Sequence, residues 1–122
     1  MSQTVLTVDD SRTMRQMLQV ALGDAGFRVV QAEDGVDGLE VLEDESPDVI
    51  ITDINMPRMD GFGFIEGVRA DDRFRSIPIL VLTTESDDAK KTRARDAGAT
   101  GWIVKPFNPE KLIGAVRKVS GG

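Results

Sequence analysis

Cysteine and histidine are both missing from this 122-residue sequence. Without cysteine there is no disulfide and no thiolate metal site. Without histidine the usual general base and the usual zinc ligand are gone. Positive charge is also short: 15 Lys and Arg stand against 21 Asp and Glu, a formal net charge of -6. The nucleic-acid backbone selects for Lys and Arg, so nucleic acid is not an expected partner. No apolar run approaches the ~20 residues of a membrane span, and Met1 to Gln3 leads almost directly into a strand pattern, with nothing resembling a signal peptide. No repeat, linker or low-complexity segment stands out. One cytoplasmic domain spanning residues 1–122 is expected, with no membrane partner and a core that buries roughly two-thirds of the unfolded surface.

What is present is an alternation. Thr4–Val8 reads as a buried strand, and Met14, Met17, Leu18, Ala21, Leu22 and Ala25 then recur at helical spacing until Gly26. Arg28–Ala32 is a second, more polar strand, followed by a helix marked by Val36, Leu39 and Leu42 and a break at Ser46-Pro47. Asp48–Thr52 runs into Asp53, and Gly61 opens a helix carrying Phe64, Ile65 and Val68. Ile77–Leu82 is a strand ended by Thr83, Asp87–Ala97 a helix closed by Gly98, and Gly101–Val104 a short strand ending at Lys105. Asn108 is an N-cap with Pro109 at the first helical position, and Leu112, Ile113, Val116 and Val119 face the core. Ser120–Gly122 is expected to fray. Strand then helix, five times, argues an α/β domain with a parallel sheet covered on both faces. The three most apolar strands lack polar alternation, as strands covered on both sides do, and the polar RVVQA strand belongs at an edge.

Ligands in such a sheet bind beyond the carboxyl ends of the strands. There the sequence places Asp9 and Asp10, Asp53, Thr83 and Lys105. Converging carboxylates disfavour being charged together. A hard divalent cation resolves the conflict, and Mg²⁺ is usually held by one or two carboxylates plus a phosphate. The blander reading of Asp9-Asp10-Ser11 is a turn with Asp10 or Ser11 as helix N-cap. Lys105 could be a solvated lysine, Thr83 and Thr84 ordinary strand residues, and Trp102 core. Met56, Met59 and Phe62 read as packing residues. A metal, a carboxylate, a hydroxyl and an ammonium, with no glycine-rich phosphate loop, fit an aspartate that accepts a phosphoryl group.

The motifs VDDS, DINMPRMDG, VLTTES and GWIVKPF, in this order, resemble the receiver domain of bacterial two-component response regulators, across essentially the whole chain and nearest the single-domain chemotaxis members. The resemblance implies a flavodoxin-like, doubly wound fold, with five parallel strands in the order 2-1-3-4-5 and five helices. It implies that Asp53 is the phosphoacceptor and that Asp10 ligates Mg²⁺ directly. Asp9 would act as Asp10's neighbour, often through water, and Asn55 would ligate through its backbone carbonyl. Lys105 would pair with the acceptor carboxylate, Thr83 would be the switch hydroxyl and Trp102 the switch aromatic. Lys105-Pro106 would be a cis peptide, which a following proline makes feasible. Asn55 and Glu85 occupy positions that modulate the lifetime of the phosphoryl group.

The implied function is a phosphorylation-dependent signalling switch. It would take its phosphoryl group from a chemotaxis sensor histidine kinase and signal as a monomer to a flagellar motor switch protein or another protein target. With no residues left for an output domain, output would come by protein contact. The activity implied is self-phosphorylation and slow autodephosphorylation, not enzymatic turnover. A phosphate sink for a shared kinase, a Mg²⁺-dependent aspartate-nucleophile phosphohydrolase and a flavin-binding module are the competing readings. Adjacent aspartates and a nucleophile on the third strand speak against the hydrolase. Acidic Asp9-Asp10-Ser11 speaks against flavin binding.

Two departures from the family pattern stand out. Thr84 replaces a residue that is often very small, and so narrows access to Asp53. Trp102 replaces the usual Tyr or Phe, which questions a full inward turn on activation. The helix after Thr83, DDAKKTRARDAG, has only Ala89, Ala94 and Ala97 as apolar residues, so it is expected to be loosely held and to move. With the last helix it carries Lys90, Lys91, Arg93, Arg95, Lys111, Arg117 and Lys118, a basic face suited to an acidic partner segment.

Overall fold

The computed structural model describes residues 2–121. The elements in chain order are β1 (Thr4–Val8), α1 (Arg12–Asp24), β2 (Arg28–Ala32), α2 (Gly35–Asp44), β3 (Val49–Thr52), α3 (Gly61–Ala70), a 3-10 turn (Asp72–Phe74), β4 (Ile79–Thr83), α4 (Asp88–Ala97), β5 (Gly101–Val104) and α5 (Pro109–Ser120). The five strands form one parallel sheet in the order β2-β1-β3-β4-β5. The polar RVVQA strand is an edge, as its composition requires. Among the described residues no helix is long and apolar enough to cross a membrane.

Register matters more for the site than topology does. Val8 lies beside Ala32 on one side and Thr52 on the other, and Thr83 lies beside Val104. Strands β2, β1 and β3 end level, and β4 and β5 run two residues further, Val81 lying beside Thr52, so the residues at their carboxyl ends come to one edge. Two ladder bonds extend past the strands and pin this, Asp53 N–H to the Val8 carbonyl at 2.9 Å and Lys105 N–H to the Thr83 carbonyl at 2.8 Å.

Alternate residues of the buried strands face opposite layers. Leu6, Val8, Ile50, Ile79 and Val81 pack with Leu42 of α2, Phe62, Phe64, Ile65 and Val68 of α3 and Ala94 of α4. Val5, Val49, Ile51, Leu80 and Leu82 pack with Leu18 and Leu22 of α1 and Leu112 and Val116 of α5. Helix entry is capped by side chains in each of the five helices, from Ser11, Asp34, Asp60, Asp87 and Asn108.

Several sequence expectations change in detail, beginning with Asp87, which is the N-cap of α4 rather than its first residue. Asp48 stands outside β3: its N–H donates to the Thr4 carbonyl at 2.7 Å and its carboxylate accepts from Thr4 N–H at 2.7 Å, so it joins strand ends rather than extending one. Ile77 and Pro78 also stand outside β4, since proline has no N–H to give the ladder. Ser120 is not frayed; it is the last residue of α5, and its hydroxyl bonds Gln3 Oε1 at 3.0 Å. Gly122 lies outside the described residues. Helix α4 buries only Ala94, as an alanine-based face must, and its C-terminal end is tied by directional bonds that its composition does not announce. The Arg69 guanidinium of α3 donates to the Gly98 carbonyl at 3.1 and 3.0 Å and to the Phe74 and Arg75 carbonyls at 3.2 and 3.1 Å.

Candidate functional site

Carboxylate oxygens of Asp9, Asp10 and Asp53 lie within 4.8 Å of one another at the sheet's carboxyl edge. Asp9 and Asp53 are buried and Asp10 is exposed. One ammonium stands against them: Lys105 Nζ donates to Asp9 Oδ2 and to Asp53 Oδ2, both at 2.9 Å. The remaining oxygens of the buried pair are met by main chain, Asp9 Oδ1 by Ser11 N–H at 2.9 Å and Asp53 Oδ1 by Ile54 N–H at 2.6 Å. Burial pushes the Asp9 carboxyl above its ordinary value, against the pull of the Ser11 N–H and Lys105. Burial also works against the Lys105 charge, but the Asp53 and Asp9 carboxylates outweigh it and raise its pKa. Three oxygen donors of this hardness around one compensating cation suit a small divalent metal ion. The Lys105-Pro106 peptide is cis.

The two readings of Asp9-Asp10-Ser11 turn out to be compatible. Ser11 is the N-cap of α1, with its hydroxyl accepting from Met14 N–H at 3.1 Å, while Asp9 faces Lys105. A turn that starts the helix is also what points the carboxylates at the cluster.

Beside the cluster, Glu85 joins four of the anticipated residues. Its carboxylate accepts from the Asn55 amide at 3.1 Å and pairs with Lys90 at 3.1 Å. The Asn55 bond first, and then Lys90, hold its carboxyl below the usual range. Its carbonyl accepts from the Trp102 indole N–H at 3.0 Å, and its N–H donates to the fully buried Thr83 hydroxyl at 3.4 Å. Trp102 is half-buried against the α2–α3–α4 layer, so it is both packing residue and polar contact. Met56 and Met59 pack against this layer and Phe62 is part of it. Thr84 is exposed.

The basic residues of α4 are mostly engaged. Lys90 pairs with Glu85, Lys91 stands 4.0 Å from Asp88, and the Arg93 guanidinium lies 4.0 Å from the Phe62 ring centroid. Arg95 is exposed. On α5, Arg117 donates to the Ala25 carbonyl at 3.3 Å, and Lys111 and Lys118 are exposed.

Sequence reasoning missed three supports of the site. Arg15 Nη1 donates to the Asp9 carbonyl at 2.7 Å. The Ile54 N–H serves Asp53. Arg58, in the same loop as Asn55, binds the buried Asp34 carboxylate at 2.7 and 3.1 Å. The first two are main-chain contacts that no side-chain motif encodes. The third joins residues far apart in sequence.

The model of the response regulator receiver domain family matches residues 5–117. The chain is 43% identical to the Chemotaxis protein CheY1 of Helicobacter pylori strain J99 over 119 residues, covering 96% of each chain. Its fold superposes on the crystallised chemotaxis protein CheY4 of Vibrio cholerae with a TM-score of 0.93 at 46% identity, covering 98% of this chain and 99% of that one. It also superposes on the receiver domain of a sensor histidine kinase from Pseudomonas aeruginosa PAO1, whose structure has a magnesium ion coordinated in the active site cleft, with a TM-score of 0.92 at 25% identity and full coverage of both chains. The chain therefore belongs to the response regulator receiver family, as a CheY-type domain for phosphorylation-dependent signalling.

Proposed function

We propose that this protein is a chemotaxis messenger that accepts a phosphoryl group on Asp53 from a sensor histidine kinase and signals by contact with a target such as the flagellar motor switch. The observation that carries the reading is the cluster itself: three carboxylates within 4.8 Å and a lysine bonded at 2.9 Å to two of them. The P. aeruginosa receiver with magnesium in its cleft and the chemotaxis relatives support it.

Asp9, Asp10 and Asp53 would hold Mg²⁺ together with the Asn55 main-chain carbonyl. When bound, the ion neutralises charge on the phosphoryl oxygens. The rest falls to the protein. An Asp53 oxygen attacks phosphorus, the bond from phosphorus to the donor nitrogen breaks, and the electron pair leaves with the donor imidazole. Lys105 already spans Asp9 and Asp53, so its ammonium is in place to follow the phosphoryl oxygens. Burial around it strengthens that attraction. The acyl phosphate carries about -1.5 to -2 charge in place of the carboxylate's single one, so the site gains at most about one negative charge, along with new acceptor oxygens. The Thr83 hydroxyl, which now accepts from Glu85 N–H, would turn to donate to a phosphoryl oxygen. Glu85 would lose that anchor, and with it the carbonyl that holds Trp102 would shift. A two-state loop biased in this way conveys the signal to α4 and β5.

The test is intact mass after brief exposure to acetyl phosphate, with and without Mg²⁺, beside Asp53→Asn. One added phosphoryl group that needs both Mg²⁺ and Asp53 is expected. An adduct that persists in Asp53→Asn, or forms without metal, would overturn the assignment.

A further inference from the structure

The loop between β3 and α3, residues 54–60, begins directly after Asp53 and contains Asn55. Its base is closed. Gly61 N–H donates to the Ile54 carbonyl at 2.8 Å, and a Cβ on Gly61 would stand 2.3 Å from the Asp53 carbonyl oxygen, so only glycine lets the two ends touch. Its outer limb bends sharply. Met59 N–H donates to the Pro57 carbonyl at 2.7 Å, closing a three-residue turn on Arg58, whose φ is 64°. A non-glycine residue at positive φ is costly and persists only where its surroundings hold it.

Asp34 is what holds it. Arg58 Nε donates to Asp34 Oδ2 at 2.7 Å and Nη2 to Oδ1 at 3.1 Å, a two-pronged pair. Asp34 is 2% exposed, so this carboxylate has given up water for its partners. It is also the N-cap of α2, taking Asp37 N–H on Oδ1 at 2.8 Å. An asparagine would serve that cap equally well. What asparagine would not supply is an anion for Arg58, which is the Oδ2 partner. The contact is tightened by main chain: Gly35 N–H donates to the Met59 carbonyl at 3.2 Å, and a Cβ on Gly35 would stand 2.8 Å from that oxygen. The 54–60 loop is thus fixed at both ends, to Asp53 at its base and to the first turn of α2 at its outer limb.

We infer that Asp34 and Arg58 are a positioning pair for the divalent cation. They keep the outer limb in place so that the main-chain carbonyl of Asn55, three residues before Arg58, is presented at a fixed position to the ion. Neither residue is among the groups that would hold the ion. The inference rests on the proposed Mg²⁺ site. Groups that orient metal ligands from behind typically set affinity by about 10- to 100-fold, and a carbonyl on a loop has no side-chain packing of its own to orient it.

Calorimetric titration with MgCl₂ tests this on the full chain, for the wild type, Asp34→Asn, Arg58→Met and the double variant. Each single variant should weaken Mg²⁺ binding by about tenfold, and the double variant should be no worse than either single one, because the pair acts as a unit. Arg28→Met breaks a comparable two-pronged pair with Glu45, at 2.9 and 2.8 Å, far from the loop; it should leave Mg²⁺ affinity as it is. Acetyl phosphate labelling should slow at limiting Mg²⁺ and recover at saturating Mg²⁺ in the two single variants. A merely structural pair would lower Tm in EDTA and leave Mg²⁺ affinity within twofold of wild type; that result overturns the inference alone. Wild-type protein that binds no Mg²⁺ overturns the site reading and the pair's role with it.

Discussion

Helices α3 and α4 have ten residues each and lie in the same layer, yet they are held by opposite means. Helix α3 buries Gly61, Phe62, Phe64, Ile65 and Val68, whereas α4 buries Ala94 alone. Apolar burial has no preferred direction and is lost only by separating the surfaces. The ties on α4 are directional: Arg69 on the Gly98 carbonyl at one end, and the Lys90–Glu85 pair at the other. Bonds of that kind can be exchanged for others. Helix α3, which follows β3, is therefore the one seated by apolar burial, and α4, which follows Thr83, is the one whose ties can be exchanged.

The largest test of this contrast removes a core group from α3. Phe64 is fully buried, and Phe64→Ala should cost about 3–5 kcal/mol in urea unfolding. Arg95→Ala, on the exposed side of α4, should be near neutral. Equal midpoints for the two would break the comparison.

A smaller effect is expected from Arg69→Met. It deletes donors to three carbonyls, those of Gly98, Phe74 and Arg75, while keeping an apolar stem. A loss of about 1–3 kcal/mol follows from hydrogen bonds made by a charged donor. Hydrogen exchange should localise it. The amides of Gly98 and Ala99, which bond the Ala94 carbonyl, should exchange faster by a larger factor than amides in the middle of α3. Uniform acceleration of both helices would mean that Arg69 supports the whole layer rather than one end of α4.

These anchors also show what the sequence could and could not carry. Periodicity placed all five strands and all five helices, because each element's apolar face is written in its own residues, as with Leu18 and Leu22 or Leu112 and Val116. The strand-end rule placed Asp9, Asp10, Asp53, Thr83 and Lys105 at one edge, since parallel strands deliver their carboxyl-end residues to the same side of the sheet. The resemblance added the strand order and the separate roles. What stayed hidden depends on contact between distant segments. Arg69 reads as one more helical cation until Gly98 is beside it. Arg58 sits in a polar loop, and nothing local links it to Asp34. The basic character of α4 was legible, but its engagement was not: Lys90 with Glu85 and Arg93 over Phe62 are tertiary facts. The sparse apolar burial expected of α4 is there in Ala94 alone, whereas the Arg69 bonds at its C-terminal end were not legible.

The smallest effect is the most telling about motion. Lys90 Nζ meets Glu85 Oε2 at 3.1 Å across a largely solvated gap, with 41% and 29% of the two side chains exposed. Such pairs contribute little to global stability, so Lys90→Ala should leave the urea midpoint essentially in place. The pair nevertheless ties the first turn of α4 to the loop that bears the Trp102 contact. Exchange of the Lys91 amide, which bonds the Asp87 carbonyl, should therefore rise by about threefold, the scale of a weak surface ion pair, with α3 amides unchanged. The first turn has two other supports, the Asp87 cap on Ala89 N–H at 2.7 Å and Arg93 against Phe62. If Lys91 exchange does not move, those two hold the turn, and the mobile boundary lies before Asp87 rather than within the helix. A rise confined to the first turn, with the midpoint fixed, would mean that α4 is hinged at Gly98 and free to swing at its start, where Glu85 connects it to Thr83.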